Sequence, residues 1–210
     1  MSLTKELAAL EDHFTKIAPP ELAQSIEDVQ SSFKPDNTIK VGDILPEFEL
    51  SDATGKLVKS TDLIANGPVL ITFYRGEWCP YCNLAMASLQ GRLDAFKAKG
   101  VTLVGISPEL PNNTLSFVEK KELKFPVLSD VGNDLARKLG LVWKMPEYMR
   151  PIFQRFGFDL ERSNGDDTFE LPVPTNILVD GKGVVRNMHV NPDYRKRLEP
   201  AVALEWADAL

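Results

Sequence analysis

A chain of 210 residues with 43% apolar and 26% charged residues has the make-up of one globular domain with a sizeable buried core. Its net charge of −6 argues against a general affinity for nucleic acid or an anionic membrane, and no apolar run approaches the ~20 residues of a membrane span. Its only two cysteines, Cys79 and Cys82, stand too close in sequence to staple distant segments, which excludes a disulfide framework.

The first residues are amphipathic and acidic, with no signal-peptide core, so a cytoplasmic protein is the expectation. Residues 1–38 read as an N-terminal helical extension. Leu3, Leu7, Leu10, Phe14 and Ile17 recur at helical spacing, Pro19-Pro20 breaks the run, and Leu22, Ile26, Val29 and Phe33 repeat it. Each stripe must be covered, either by the chain's own core or by a second copy in a homodimer through these helices. Residues 39–210 form the main domain. Glu47–Leu50 and Leu57–Lys59 flank a turn at 52–56 and predict a β-hairpin.

The stretch VLITFYRGEWCPYCN, residues 69–83, organises the rest. Val69 to Tyr74 is an apolar run suited to a strand buried on both faces. After the break Arg75-Gly76-Glu77, Pro80 suits the first position of a helix. Cys79 is then the N-cap and Cys82 the third helical residue. Both sulfurs fall in the turn where unpaired N–H groups and the helix dipole favour negative charge, and the thiolate is the reactive form of cysteine.

A single helix is predicted from Pro80 to Lys99, stopped by Gly100, and a second buried strand from Val101 to Ile106. The two strands and the helix make a βαβ unit with parallel strands. A helix is predicted over 114–123, with Asn112 and Asn113 as caps. A short strand at 125–128 is expected at a sheet edge because of Pro126, and a short helix at 133–139. Residues 143–167 fit no simple element. They read as an insertion with a helical turn near Tyr148–Phe156 that either fills core or forms a lid. Residues 176–190 predict a second hairpin around Asp180–Gly183, and 199–210 a closing helix.

This order, with C-x-x-C at the start of the first core helix, is that of an α/β thioredoxin-like fold: a mixed sheet flanked by helices. More narrowly, VGDILPEFELSDATGKLVKSTDL and FYRGEWCPYC make the chain resemble the peroxiredoxin, or AhpC/TSA, family over roughly residues 41–200. In the register of that family's F-Y-P-x-x-x-T-x-x-C segment, Cys82 falls on the peroxidatic cysteine, Cys79 on the family threonine and Arg75 on the family proline. Typical members carry an arginine shortly before a late strand ending I-I-D. Here Val173-Pro174-Thr175 precedes ILVD, which is similar to the cis-proline–threonine of thioredoxins and glutaredoxins. Cys-Pro-Tyr-Cys is also the glutaredoxin pattern.

The resemblance implies a thiol-dependent peroxidase acting on hydrogen peroxide or organic hydroperoxides. Its thiolate would become a sulfenic acid and condense with the second thiol, and a thiol reductant such as a thioredoxin, a glutaredoxin or glutathione would restore it. A thiol-disulfide oxidoreductase and a non-enzymatic binding protein on the same fold are the other two readings. The candidate residues are Cys82 and Cys79, Arg75 as the cation polarising the O–O bond or as a merely solvated arginine, Pro174 as a candidate cis-proline, and Thr175, which either bonds a sulfur or begins the strand. Family register nominates Cys82 as first nucleophile, whereas cap geometry makes Cys79 the more exposed thiol and the one attacking in disulfide exchange. Trp78 is read as packing and shielding, Glu77 as a proton acceptor or, as is the norm for exposed carboxylates, as facing water, and Tyr81 as either offering its hydroxyl near the thiols or only covering them. No cofactor is expected: there is no phosphate-binding glycine loop, and structural zinc would find only His13 and His189 beside the cysteines.

Overall fold

The computed structural model describes residues 2–210. In chain order these form α1 (Leu3–Thr15), α2 (Pro20–Ser32), β1 (Glu49–Asp52), β2 (Leu57–Lys59), α3 (Ser60–Ala65), β3 (Val69–Phe73), α4 (Pro80–Gln90), α5 (Leu93–Ala98), β4 (Thr102–Ser107), α6 (Pro111–Lys121), β5 (Val127–Ser129), α7 (Asp134–Lys138), β6 (Val142–Lys144), α8 (Arg150–Arg155), α9 (Leu160–Asn164), β7 (Glu170–Pro172), β8 (Thr175–Val179), β9 (Val185–Val190) and α10 (Pro200–Asp208). Seven strands make one mixed sheet in the order β2-β1-β5-β4-β3-β8-β9, with β3 parallel to β4 and β4 to β5. The remaining neighbours run antiparallel, including both predicted hairpins.

The central strand works because its period-2 alternation feeds two cores. Leu70 and Tyr74 of the β3 segment point into a layer closed by α1, α4, α5, α6 and α10, with Met86, Leu89, Phe96 and Phe117 at its centre. Val69, Ile71 and Phe73 point the other way, against Leu135, Leu139, Leu141, Ile177 and Val185. A strand buried on both faces must read as continuous hydrophobics, as Val69–Tyr74 does.

The stripe of α1 is covered by the chain itself: Leu3 and Leu7 are buried against α4, with Leu10 and Phe14 packed beside them. Ile17 lies past the end of α1 and is exposed. On α2, Val29 packs with Phe33 and Val173.

Three sequence expectations are corrected. The helix predicted over Pro80–Lys99 is two helices, broken at Gly91-Arg92, where Arg92 leaves helical geometry. Glycine has the lowest helix propensity in that stretch after proline. The strand of Pro126 is internal, not an edge. It starts at Val127, and Pro126 contributes only its carbonyl, which accepts from the Gly105 N–H at 2.9 Å, so its missing donor costs the ladder nothing. The helix expected over 114–123 starts earlier, with Pro111 at its first turn rather than capped by Asn112 and Asn113. The 143–167 stretch is bracketed by the β6–β7 pair and holds α8 and α9 around a small core of Met145, Met149, Ile152, Phe153, Leu160 and Phe169.

Gly140 ends α7 in a left-handed conformation, and a Cβ there would come within 2.2 Å of the Asn37 carbonyl oxygen, on the segment that leads from α2 into the sheet. Backbone cannot yield as a flexible side chain can. Gly140→Ala is therefore expected to cost about 2–5 kcal/mol, summing left-handed strain and overpacking, read as a lowered urea midpoint with unchanged m value.

Candidate active site: two sulfurs between two arginines

The dithiol turn is held from below by Glu109, which follows β4. This carboxylate is 2% exposed, and its Oε2 accepts the Glu77 backbone N–H at 2.8 Å. Gly76 makes the approach feasible. At its φ of +143° a Cβ would fall 2.4 Å from Trp78 Nε1 and 2.9 Å from Glu109 Oε1, so no side chain fits between indole and carboxylate. The chain then turns through Cys79 in extended geometry as N-cap, with Pro80 opening α4 and the Cys79 carbonyl accepting the Asn83 N–H at 3.1 Å.

Both thiols are free and buried, Cys79 at 1% and Cys82 at 0% exposure. The cap geometry is as the sequence predicted, but the greater exposure expected of Cys79 is not found. Helix α1 covers α4, and Tyr81 packs beside Phe14 and Tyr194, closing the turn from that side. What separates the sulfurs is charge. Arg197 Nη2 donates to Cys82 Sγ at 3.3 Å, and Arg75 Nη1 to Cys79 Sγ at 3.8 Å. Burial alone would push the Cys82 thiol up. Against it, the hydrogen bond from Cys79, the Arg197 and Arg75 charges and the Arg75 backbone N–H hold it well below the usual thiol range. Burial pushes the Cys79 thiol well above that range, reinforced by its hydrogen bond to Cys82 and by the neighbouring Cys82 charge. The surroundings thus favour the anionic form of Cys82 over that of Cys79.

Arg75 is 6% exposed and, among the described residues, has no carboxylate within ion-pair distance. It is stacked between the Trp78 ring at 4.7 Å and the Tyr194 ring at 4.1 Å, and Met145 Sδ lies 4.0 Å from its other terminal nitrogen. A solvated arginine is thereby excluded. Pro174 borders the same guanidinium across a small void, but no cis peptide occurs among the described residues, so the cis-proline expectation is corrected. Thr175 begins β8 and its hydroxyl donates to the Val173 carbonyl at 2.8 Å rather than to a sulfur. That local acceptor, two residues back, takes the proton first. Glu77 does not simply face water: it pairs with Lys120 at 2.6 Å.

Sequence reasoning missed Arg197 and Glu109. Arg197 lies 115 residues from Cys82, in the segment between β9 and α10, where it also donates to the Tyr194 carbonyl at 2.6 Å. Burial raises the Glu109 carboxyl to about 7; the Glu77 N–H partly offsets this, and the Glu77 and Cys82 charges add to it. The folded chain therefore holds this proton where the unfolded chain, titrating near 4.5, has lost it. Stability falls as pH rises from about 4.5 to about 7, by on the order of 3 kcal/mol for this group, and stays lower above that window. Glu109→Gln is expected to remove that fall, measured as the difference in unfolding free energy between pH 5 and pH 8.

A cavity of about 360 Å³ opens beside the dithiol, between α1–α2 and the insertion. Cys79 and Arg75 form part of its wall; Cys82 does not line it. Trp78 packs on Phe153 and Phe158 at its rim, with ring centroids 5.1 and 5.4 Å apart.

Residues 41–188 match the family model described as the AhpC/TSA family. The chain is 29% identical over 170 residues to a protein named peroxiredoxin Bcp from Escherichia coli K12, covering 81% of this chain and 96% of that one. It is 41% identical over 106 residues to one named putative peroxiredoxin bcp from Buchnera aphidicola, covering 50% of this chain and 66% of that one. Among solved structures, the fold is similar to that of peroxidoxin BcpB from Mycobacterium tuberculosis, with a TM-score of 0.65 and 22% identity over 82% of this chain and 98% of that chain.

Proposed function

Because this chain belongs to the AhpC/TSA family, we propose that it is a thiol peroxidase whose Cys79–Cys82 pair reduces hydrogen peroxide or organic hydroperoxides. The observation that carries the reading is the buried Cys82 sulfur with a guanidinium at 3.3 Å, an arrangement that favours the thiolate, because a peroxidase needs an ionised sulfur at neutral pH and a fixed cation for the charge that develops on oxygen. The thiolate attacks the terminal peroxide oxygen, the O–O bond breaks, and the leaving oxygen takes a proton. The Cys79 thiol then displaces water from the Cys82 sulfenic acid and closes the disulfide.

Reduction runs in the opposite sense. A thiolate reductant reaches Cys79, the sulfur that borders the cavity, and expels Cys82, whose low basicity makes it the better leaving group. Arg75 touches Cys79 and its charge acts on Cys82, so it serves both half-reactions.

Mixing the pre-reduced protein with hydrogen peroxide in a stopped-flow instrument tests the reading. Loss of both thiols in step with one equivalent of peroxide, orders of magnitude faster than a free cysteine reacts, is the expected result. Oxidation no faster than free cysteine, with rapid reduction of a protein disulfide instead, would replace the peroxidase by a disulfide oxidoreductase.

A further inference from the structure

Turning a peroxide ROOH into ROH and water consumes two protons. A dithiol with Cys82 ionised supplies only one, from Cys79. A buried acid that the cycle does not yet use stands at the dithiol turn. Glu109 lies two residues past β4 and is 2% exposed, and among the described residues no Lys, Arg or His comes within ion-pair distance of it. Its Oε2 accepts the Glu77 backbone N–H at 2.8 Å, a neutral donor. A buried carboxyl without a cation is favoured as the acid, because burial penalises the charged form.

The parallel β3–β4 ladder brings this carboxyl toward Cys82. Phe73 pairs with Ile106, so Tyr74 stands beside Ser107, and Tyr74 shares its core layer with Cys82. The charges of Glu109 and Cys82 both act on the buried Tyr74 hydroxyl, and the Cys82 charge favours the acid form of Glu109. Around the carboxyl stand also Glu77, whose own charge is paired to Lys120 of α6 at 2.6 Å, and, from α9, the neutral Ser163 carbonyl, which accepts the Leu110 N–H at 2.9 Å.

We propose, on the dithiol cycle above, that Glu109 is the proton partner of the dithiol: it holds a proton while Cys82 is an anion and gives it up when that charge is lost into the disulfide. The reaction then balances as thiolate, thiol, carboxylic acid and ROOH giving disulfide, carboxylate, ROH and water. The thiolate takes the terminal oxygen, the alkoxide leaves as ROH with the proton that Glu109 supplies, and the Cys79 hydrogen leaves with water. One negative charge stays in the buried site throughout, moved from sulfur to carboxylate, so the interior is spared a change of net charge. Reduction reverses the exchange.

Infrared difference spectra of the full-length protein, oxidised with oxidised dithiothreitol and reduced with dithiothreitol, test this without peroxide. Near pH 6.5 the carbonyl band of a protonated carboxyl is expected to weaken on oxidation of the wild type. That change is expected to be absent from Glu109→Gln and kept in Glu77→Gln. The equilibrium with dithiothreitol, followed from pH 5 to pH 8, reads the same coupling. At pH 5 Glu109 is protonated in both redox states. As pH rises through about 7, the wild type alone gains a preference for the disulfide, about two- to tenfold relative to Glu109→Gln, tenfold being one pKa unit of coupling. A wild-type spectrum without a carboxyl change overturns the proposal, and it decides alone should Glu109→Gln not fold. A band change that survives in Glu109→Gln, or an offset between the two proteins equal at every pH, as a structural role gives, also overturns it. If the linkage is found but peroxide oxidises the protein no faster than free cysteine, the peroxidase reading fails and the proton exchange stands with a disulfide oxidoreductase.

Discussion

Cys82→Ser is expected to abolish fast oxidation by peroxide, a loss of more than about 1,000-fold, because an alcohol at this position has no accessible anion to attack oxygen. Cys79→Ser is expected to behave differently. Cys82 keeps both arginines, so it still meets peroxide, but no second thiol is present to displace water. The product is a sulfenic acid, seen as one added oxygen in the intact mass and as a dimedone adduct. In Cys79→Ser the serine hydroxyl can take the place of the thiol as donor to the Cys82 sulfur, so the support for its anion is kept while the intermediate is trapped. The order of attack hangs on this pair of variants. A sulfenic acid that accumulated on Cys79 in the Cys82→Ser protein would invert the assignment, because access through the cavity would then outweigh charge.

The second large effect belongs to Arg197. Its Nη2 lies 3.3 Å from Cys82 Sγ, in a site where the sulfur has no exposure to water that could replace the lost contact. A hydrogen bond to a charged group is worth roughly 1.5–3 kcal/mol, which at 1.36 kcal/mol per unit corresponds to about one to two units of thiol pKa. Arg197→Met keeps the length and apolar stem and removes only the donors and the charge. Peroxide oxidation at pH 7 should slow by about 10–100-fold, and the pH–rate curve should move to higher pH, so that part of the rate returns under alkaline conditions. The ultraviolet absorbance of the thiolate, titrated in the Cys79→Ser background, reports the same shift without turnover. A slowed rate with an unmoved titration curve would mean that Arg197 acts on the peroxide rather than on the sulfur. Arg75 remains in the variant, which is why the loss is bounded rather than complete.

The parts of this site that could be read in advance are local. Pro80 after Cys79, the glycine break after a buried strand and the apolar run before it place two sulfurs in one helical turn, because capping and strand burial are decided by residues within a few positions. The α4–α5 break and the internal position of β5 were less legible. A helical stripe continues through Gly91 as well as around it, and a proline excludes a strand from the interior only if its own N–H is needed. Pro126 sits one residue before that need arises.

By itself, the sequence determined the βαβ order, the two hairpins, the buried central strand and the N-cap position of Cys79, all set by hydrophobic period and backbone preference over short spans. Only the tertiary structure supplied the electrostatic difference between the two sulfurs that favours the anion at Cys82. Both cysteines share the same helix dipole. The difference comes from Arg197, delivered by the segment after the last strand, and from a cavity whose two walls are far apart in the chain. Electrostatics in a buried site depends on distance through space, and a lone arginine in a charged segment carries no mark of the partner it will meet.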